Sequence, residues 1–304
     1  MDWVRDVTVG DWIAERLDDA WNIHRLVPRG FEAYARILHP AVRERPVDAA
    51  WPPEGDERAW AAFAEPGYEV DAEHVTWEGA ARALGATFDP LGSWADSVGG
   101  DPATKPRDAD GWRYDVPEEG FLEPGHLAVV AEHLAAHTAC GDEVYVGVWE
   151  GWGGLVGFLG HTPSRAALVG DVAGAPARHR NALDRSIRDP FNSVFRRRTW
   201  QQGILSDEIS KGPRLQLADR EHVLFRGRIG EFERDDWTST APWADPRDAW
   251  VHSPSVLWPA DRMWYVATDV DLDSTLVGGS AELIRTLSAD ERVEAHPIRE
   301  GTVL

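Results

Sequence analysis

The chain has 304 residues, 43% hydrophobic and 27% charged, with a formal net charge of −21. These proportions fit a globular protein with a sizeable core. No apolar run is long enough for a membrane span, and the anionic charge disfavours a phosphate backbone as partner, so neither a membrane nor a nucleic acid is expected to be bound. The basic run Arg196–Arg198 is too short to change that, because neutralising a backbone needs several cations on one face. One cysteine, Cys140, leaves no intramolecular disulfide, and the acidic start MDWVRDVTVGDW lacks the apolar core of a secretory signal. A cytoplasmic protein is the expectation.

In chain order, residues 9–21 predict a helix, with Trp12, Ile13, Leu17 and Trp21 at helical spacing. Residues 27–38 predict a strand, opened by Pro28–Gly30 and closed by His39-Pro40. Residues 43–72, rich in Pro, acids and Ala, read as loop with at most a turn of helix. Thr76 caps a helix WEGAARALG that Gly85 ends. Residues 89–120, rich in Gly, Pro and acids, read as a peripheral irregular segment.

A helix over 124–138 opens with Pro124 in its first turn, and a strand follows at 143–149. Residues 160–215 read as a loop and helix insertion, with helix near 176–198. A strand at 222–227 and a Trp- and Pro-rich connection at 237–260 lead to the stretch 256–288. There 263–270 is a strand, Gly278-Gly279 a turn, and SAELIRTLS a helix capped by Ser280. The last strand is 292–298. Helices and strands mix without strict βαβ alternation. The expected fold is therefore α+β, a single domain over 1–304 with helices packed on a largely antiparallel mixed sheet. Val266 should be buried at its centre.

The stretches VPRGFEAYARILHPA (27–41), LAAHTACGDEVYVGVWEGWG (134–153), EHVLFRG (221–227) and SPSVLWPADRMWYVATDVDLDSTLVGGS (253–280) carry a likeness. In that order they resemble a family of uncharacterised actinobacterial proteins. The resemblance covers most of the chain, fits 160–215 poorly, and implies no activity, since none is established for that family.

DVDLDSTLV, after the apolar strand, is similar to the first motif of haloacid-dehalogenase-type phosphatases. There the first aspartate attacks phosphorus and the second acts as acid and base. The likeness would give those roles to Asp271 and Asp273. In that family the motif ends the first strand and its catalytic partners lie downstream. Here the chain after Thr275 offers no lysine, so Asp271 and Asp273 are expected to be structural, holding loop amides. Asp269, Asp271 and Asp273 have period 2 and, on a continuing strand, would share a face suited to a hard cation.

His126, His133 and His137, at offsets of 7 and 11, fall near one helix face, and the last pair has zinc-chelating spacing. No glutamate in an HExxH arrangement accompanies them. Gly151, Gly153, Gly154 and Gly157 miss the dinucleotide pattern and read as a hairpin or bulge. Cys140 has no basic cluster to activate it. Of the 16 tryptophans, most are expected to anchor irregular segments. Trp149, Trp152 and Trp264 are the candidates to line a pocket where strand 263–270 meets loop 150–157.

Three readings follow. The first is a non-catalytic cytosolic binding or protein-interaction protein, with acidic immunity and antitoxin proteins as examples by analogy only. The second is a metal-assisted hydrolase on the aspartates or histidines. The third is a small-ligand sensor with a Trp-lined pocket. The first is preferred. No catalytic residue and no cofactor are assigned, and the partner is an unspecified protein or small molecule.

Overall fold

The computed structural model describes residues 1–64, 67–101, 104–160, 199–245 and 251–303. The expected helix at 176–198 and the run Arg196–Arg198 lie outside them, as does Trp250.

Nine strands form the main sheet. They are β1 (Asp2–Trp3), β2 (Ala33–Leu38), β6 (Val144–Trp149), β9 (Leu215–Leu217), β10 (Arg220–Gly227), β11 (Val256–Pro259), β12 (Tyr265–Ala267), β13 (Ser274–Gly279) and β14 (Ala295–Ile298). The order is β1-β10-β6-β11-β12-β13-β2-β14, with β9 beside β10. All its pairings are antiparallel, so the chain is α+β as expected.

Alternate residues of each strand enter two cores, because successive strand side chains point to opposite faces. Val146, Val223, Phe225, Leu257, Val266 and Val277 share one core with Leu127, Val130, Leu283 and Leu287. These last four belong to α5 (Pro124–Ala136) and α7 (Ala281–Ser288). Leu224, Val256, Trp258, Tyr265 and Leu276 pack on the other face against Trp12, Ile13, Ile23 and Val27. Burial on both faces explains why these strands read as unbroken apolar runs. Val266 is 2% exposed, at the centre where it was expected.

At His39-Pro40 the chain leaves the main sheet for a smaller one, β4 (Val70–Val75), β3 (Ala41–Pro46) and β5 (Arg113–Asp115) in that order. Helices α3 (Trp77–Leu84) and α4 (Trp94–Val98) pack with it around Trp77, Trp94 and Tyr114. The Glu294 carboxylate accepts from the Trp77 and Glu78 amides, fastening the start of α3 to the residue that leads into β14.

Several expectations need correction. Residues 43–72 are not loop: they hold β3, α2 (Glu57–Ala64) and the start of β4. β4 is exposed over most of its length, so the alternation that marks a half-buried strand is missing. Residues 89–120 are not an irregular fringe, since they supply α4, β5 and the buried Trp94 and Tyr114. The helix expected over 9–21 is a 3₁₀ turn, Val7–Gly10, followed by α1 (Asp11–Ala14). Asp18 ends any continuation by binding Arg29 and the Ala20 amide, and Trp21 is 80% exposed.

The strand expected over 263–270 is confined to β12, and an acidic connection follows. Gly278-Gly279 is no turn but the end of β13. A side chain at Gly278 would meet Phe31 at 2.6 Å, and one at Gly279 would meet Leu283 at 2.6 Å. Within 160–215, the described part contains β8 (Thr199–Gln201, paired with β7, Phe158–Gly160), α6 (Asp207–Ser210) and β9.

Candidate functional site

One end of the main sheet changes from apolar to polar over neighbouring strands. β6 leaves the sheet at Trp149, which pairs with His222 near the start of β10. Next in order, Ser255 precedes β11, and its hydroxyl accepts from the Trp149 amide at 3.0 Å. Its carbonyl accepts from the Thr268 amide at 2.8 Å, just beyond β12. These residues, with Arg220, Tyr265 and Asp269, line a cleft whose floor is Leu217, Val256 and Ala267. The cleft measures about 400 Å³ including its open mouth.

His222 forms the inner wall. It is 4% exposed; the Leu215 and Arg220 backbones lie near the ring, but neither meets Nδ1 in hydrogen-bonding geometry. Burial lowers its pKa to about 4, so the ring is neutral at pH 7. An unpaired buried nitrogen is costly unless something bonds to it. At the mouth, the Arg220 guanidinium lies 5.1 Å from the Trp149 ring centre. It also binds Asp269 at 3.1 and 3.2 Å and Asp271 at 2.5 Å.

A second polar network lies further along the same end. Arg36, 5% exposed, donates to Ser274 Oγ, to the Pro90 and Gly92 carbonyls and to Asp273 at 3.2 Å. Burial lowers the pKa of Arg36 and raises that of Asp273, opposing both charges, while the pairing opposes burial. A guanidinium so saturated with acceptors stays charged. His39 bonds the Glu118 carbonyl at 2.7 Å and Thr275 Oγ1 at 2.9 Å, and Thr275 meets Thr268 at 2.9 Å. Burial takes His39 down to about 4 and pushes Glu118 up to about 7. Glu119 is raised by burial and then by Asp273 and Asp271.

The expected clusters disperse. Asp269 and Asp271 go to Arg220, whereas Asp273 goes to Arg36. The β12–β13 connection breaks the strand on which the three would have shared a face. Asp269 also accepts from the Asp271 amide at 3.0 Å. Trp149 and Trp152 meet edge to face at 5.4 Å, and Trp152 stacks on His252 at 3.7 Å. Trp264 is not with them: its fully buried indole donates to the Leu134 carbonyl near the end of α5.

His126, His133 and His137 share a helix but not a centre. An α-helix rises 1.5 Å per residue, so eleven residues separate ends by roughly 16 Å. His133 bonds Asp290 at 2.8 Å, and His137 bonds the His133 carbonyl at 2.8 Å. His126 instead meets Glu123 at 2.9 Å and faces His74 of β4, ring centres 5.8 Å apart.

His222, Arg220, Ser255 and Thr268 were not singled out from the sequence. A lone histidine inside HVLFRG gives no local signal, because its neighbours come from strands distant in sequence. Compared with known proteins, the chain matches no family model, no curated protein and no solved structure. Among the described residues, no helix is long and apolar enough to cross a membrane.

Proposed function

We propose that this is a non-catalytic binding protein, and that the cleft at the polar end of the main sheet receives its ligand. The observation that carries the proposal is His222, a buried neutral ring with an unpartnered Nδ1 in the inner wall of an apolar-floored cleft. Its apolar lining, with His222 among few polar groups, calls for a small ligand with an apolar body and a hydrogen-bonding atom. The rim arginines are already neutralised, Arg220 by Asp269 and Asp271 and Arg25 by Asp219. With a net charge of −21 around them, a neutral or cationic ligand is favoured over an anionic one. A histidine with a pKa of about 4 is a weak base at neutral pH, which suits recognition better than proton abstraction.

A fragment screen by thermal shift tests this. Small heteroaromatic and amine fragments should raise the melting temperature of the wild type. His222→Phe, which fills the wall and removes the nitrogen, should abolish the shift while remaining folded. Fragments that stabilise the variant as well as the wild type would place binding elsewhere.

A further inference from the structure

We infer that His74, Glu123 and His126 form a binding site for a divalent transition metal of the zinc type. One ring nitrogen from each histidine and a carboxylate oxygen of Glu123 lie within 4.8 Å of one another, and no other such group of three occurs among the described residues. The inference is independent of the cleft at His222.

The three ligands come from two layers of the fold. His74 sits on β4 of the small sheet, opposite Val42, and its side chain is exposed. Glu123 is the N-cap of α5, and His126 is in the first turn of that helix. Glu123 Oε2 accepts from the Gly125 amide at 2.9 Å, the His126 amide at 3.2 Å and His126 Nδ1 at 2.9 Å. Among the described residues the hydrogen bonds to this carboxylate all fall on Oε2, and one of its oxygens lies within 4.8 Å of a nitrogen of each imidazole. A helix N-terminus repels a cation, and here the capping carboxylate offsets that field.

Two nitrogens and one oxygen suit a borderline ion, whereas calcium and magnesium prefer oxygen alone. Three protein ligands leave a fourth tetrahedral position for water or a ligand atom. A bound ion would also tie β4 to α5, so metal should raise thermal stability.

The test uses the full chain, stripped by chelator and titrated with Zn²⁺ by calorimetry, and with Co²⁺ by its visible absorption. One equivalent should bind, with a tetrahedral cobalt spectrum and a rise in melting temperature. His74→Ala and His126→Ala should each weaken binding by more than about tenfold, the scale on which metal sites respond to their supporting residues. His137→Ala should leave it unchanged. His74 is exposed, so metal-free melting of His74→Ala should match the wild type and separate lost ligation from lost folding. Absence of stoichiometric uptake, or uptake undiminished in His74→Ala and His126→Ala, would overturn the site.

Discussion

The two sheets are held together by different physics. The main sheet is buried on both faces and rests on aliphatic and aromatic side chains, with Val266, Val277, Leu224 and Tyr265 among them. The small sheet is laced with charge. Arg113 binds Glu44 at 2.5 Å and lies 3.8 Å from the Trp51 ring centre; Arg43 pairs with Glu73; Lys105 binds Asp115 at 2.5 Å. Besides the core that Tyr114 shares with Trp77 and Trp94, the small sheet has a second aromatic cluster, Trp51, Trp60, Phe63 and Tyr68, with Arg113 and Arg107 over its tryptophans. Strand formation therefore does not require an apolar pattern, provided cross-strand pairs and cation–π contacts replace it.

The largest expected effect breaks the main sheet. Val266→Asp places an unpaired charge at 2% exposure and should cost more than about 4 kcal/mol, enough to abolish cooperative melting. The counterpart in the small sheet, Ala72→Lys on exposed β4, should change stability by less than about 0.5 kcal/mol in the same urea titration.

Acid comes next. His39 and His222 are each lowered by burial to about 4. Both are charged more readily in the unfolded chain, so their neutral burial supports folding above pH 6.5. That support is lost as pH falls towards 4, at about 3 kcal/mol for each ring. Urea midpoints should fall steeply across that window, and His222→Gln should shallow the slope. Glu118, raised to about 7, acts in the opposite sense. Its contribution is present below about pH 4.5 and is lost as pH rises through 7.

The small sheet should respond more mildly. Arg113→Met removes the Glu44 pair and the charge over Trp51, for roughly 1–2 kcal/mol by equilibrium unfolding. At the lower end of that range, Ser93→Ala deletes the capping box of α4, in which Ser93 and Asp96 satisfy each other's amides. A loss of about 1 kcal/mol is expected in the melting temperature series.

This contrast explains what the sequence could disclose. Strands such as HVLF and WYVA announce themselves because both faces are buried. α3 and α7 announce themselves through Thr76, Gly85 and Ser280, whose caps are made as the sequence implied. VRERP and VDAEHV conceal their strands because their partners are charges on other strands, which a local pattern does not register. The site residues behave similarly. Asp269, Asp271 and Asp273 form a conspicuous run, yet Arg220 and Arg36 divide them between two networks. His74 and Glu123 carry no mutual signal at their separation in sequence, while the three helix histidines suggested a centre that helical rise prevents.

The central claim, that the cleft beside His222 is where this protein binds its ligand, is tested most directly by fluorine NMR on fluorotryptophan-labelled protein. Trp149 lies at the cleft, whereas Trp77 and Trp258 are fully buried elsewhere. Titration with the stabilising fragments should shift the Trp149 resonance, assigned by Trp149→Phe, and leave Trp77 and Trp258 in place. Saturating fragments that leave Trp149 unmoved, or that shift only rings remote from the cleft, would contradict the account.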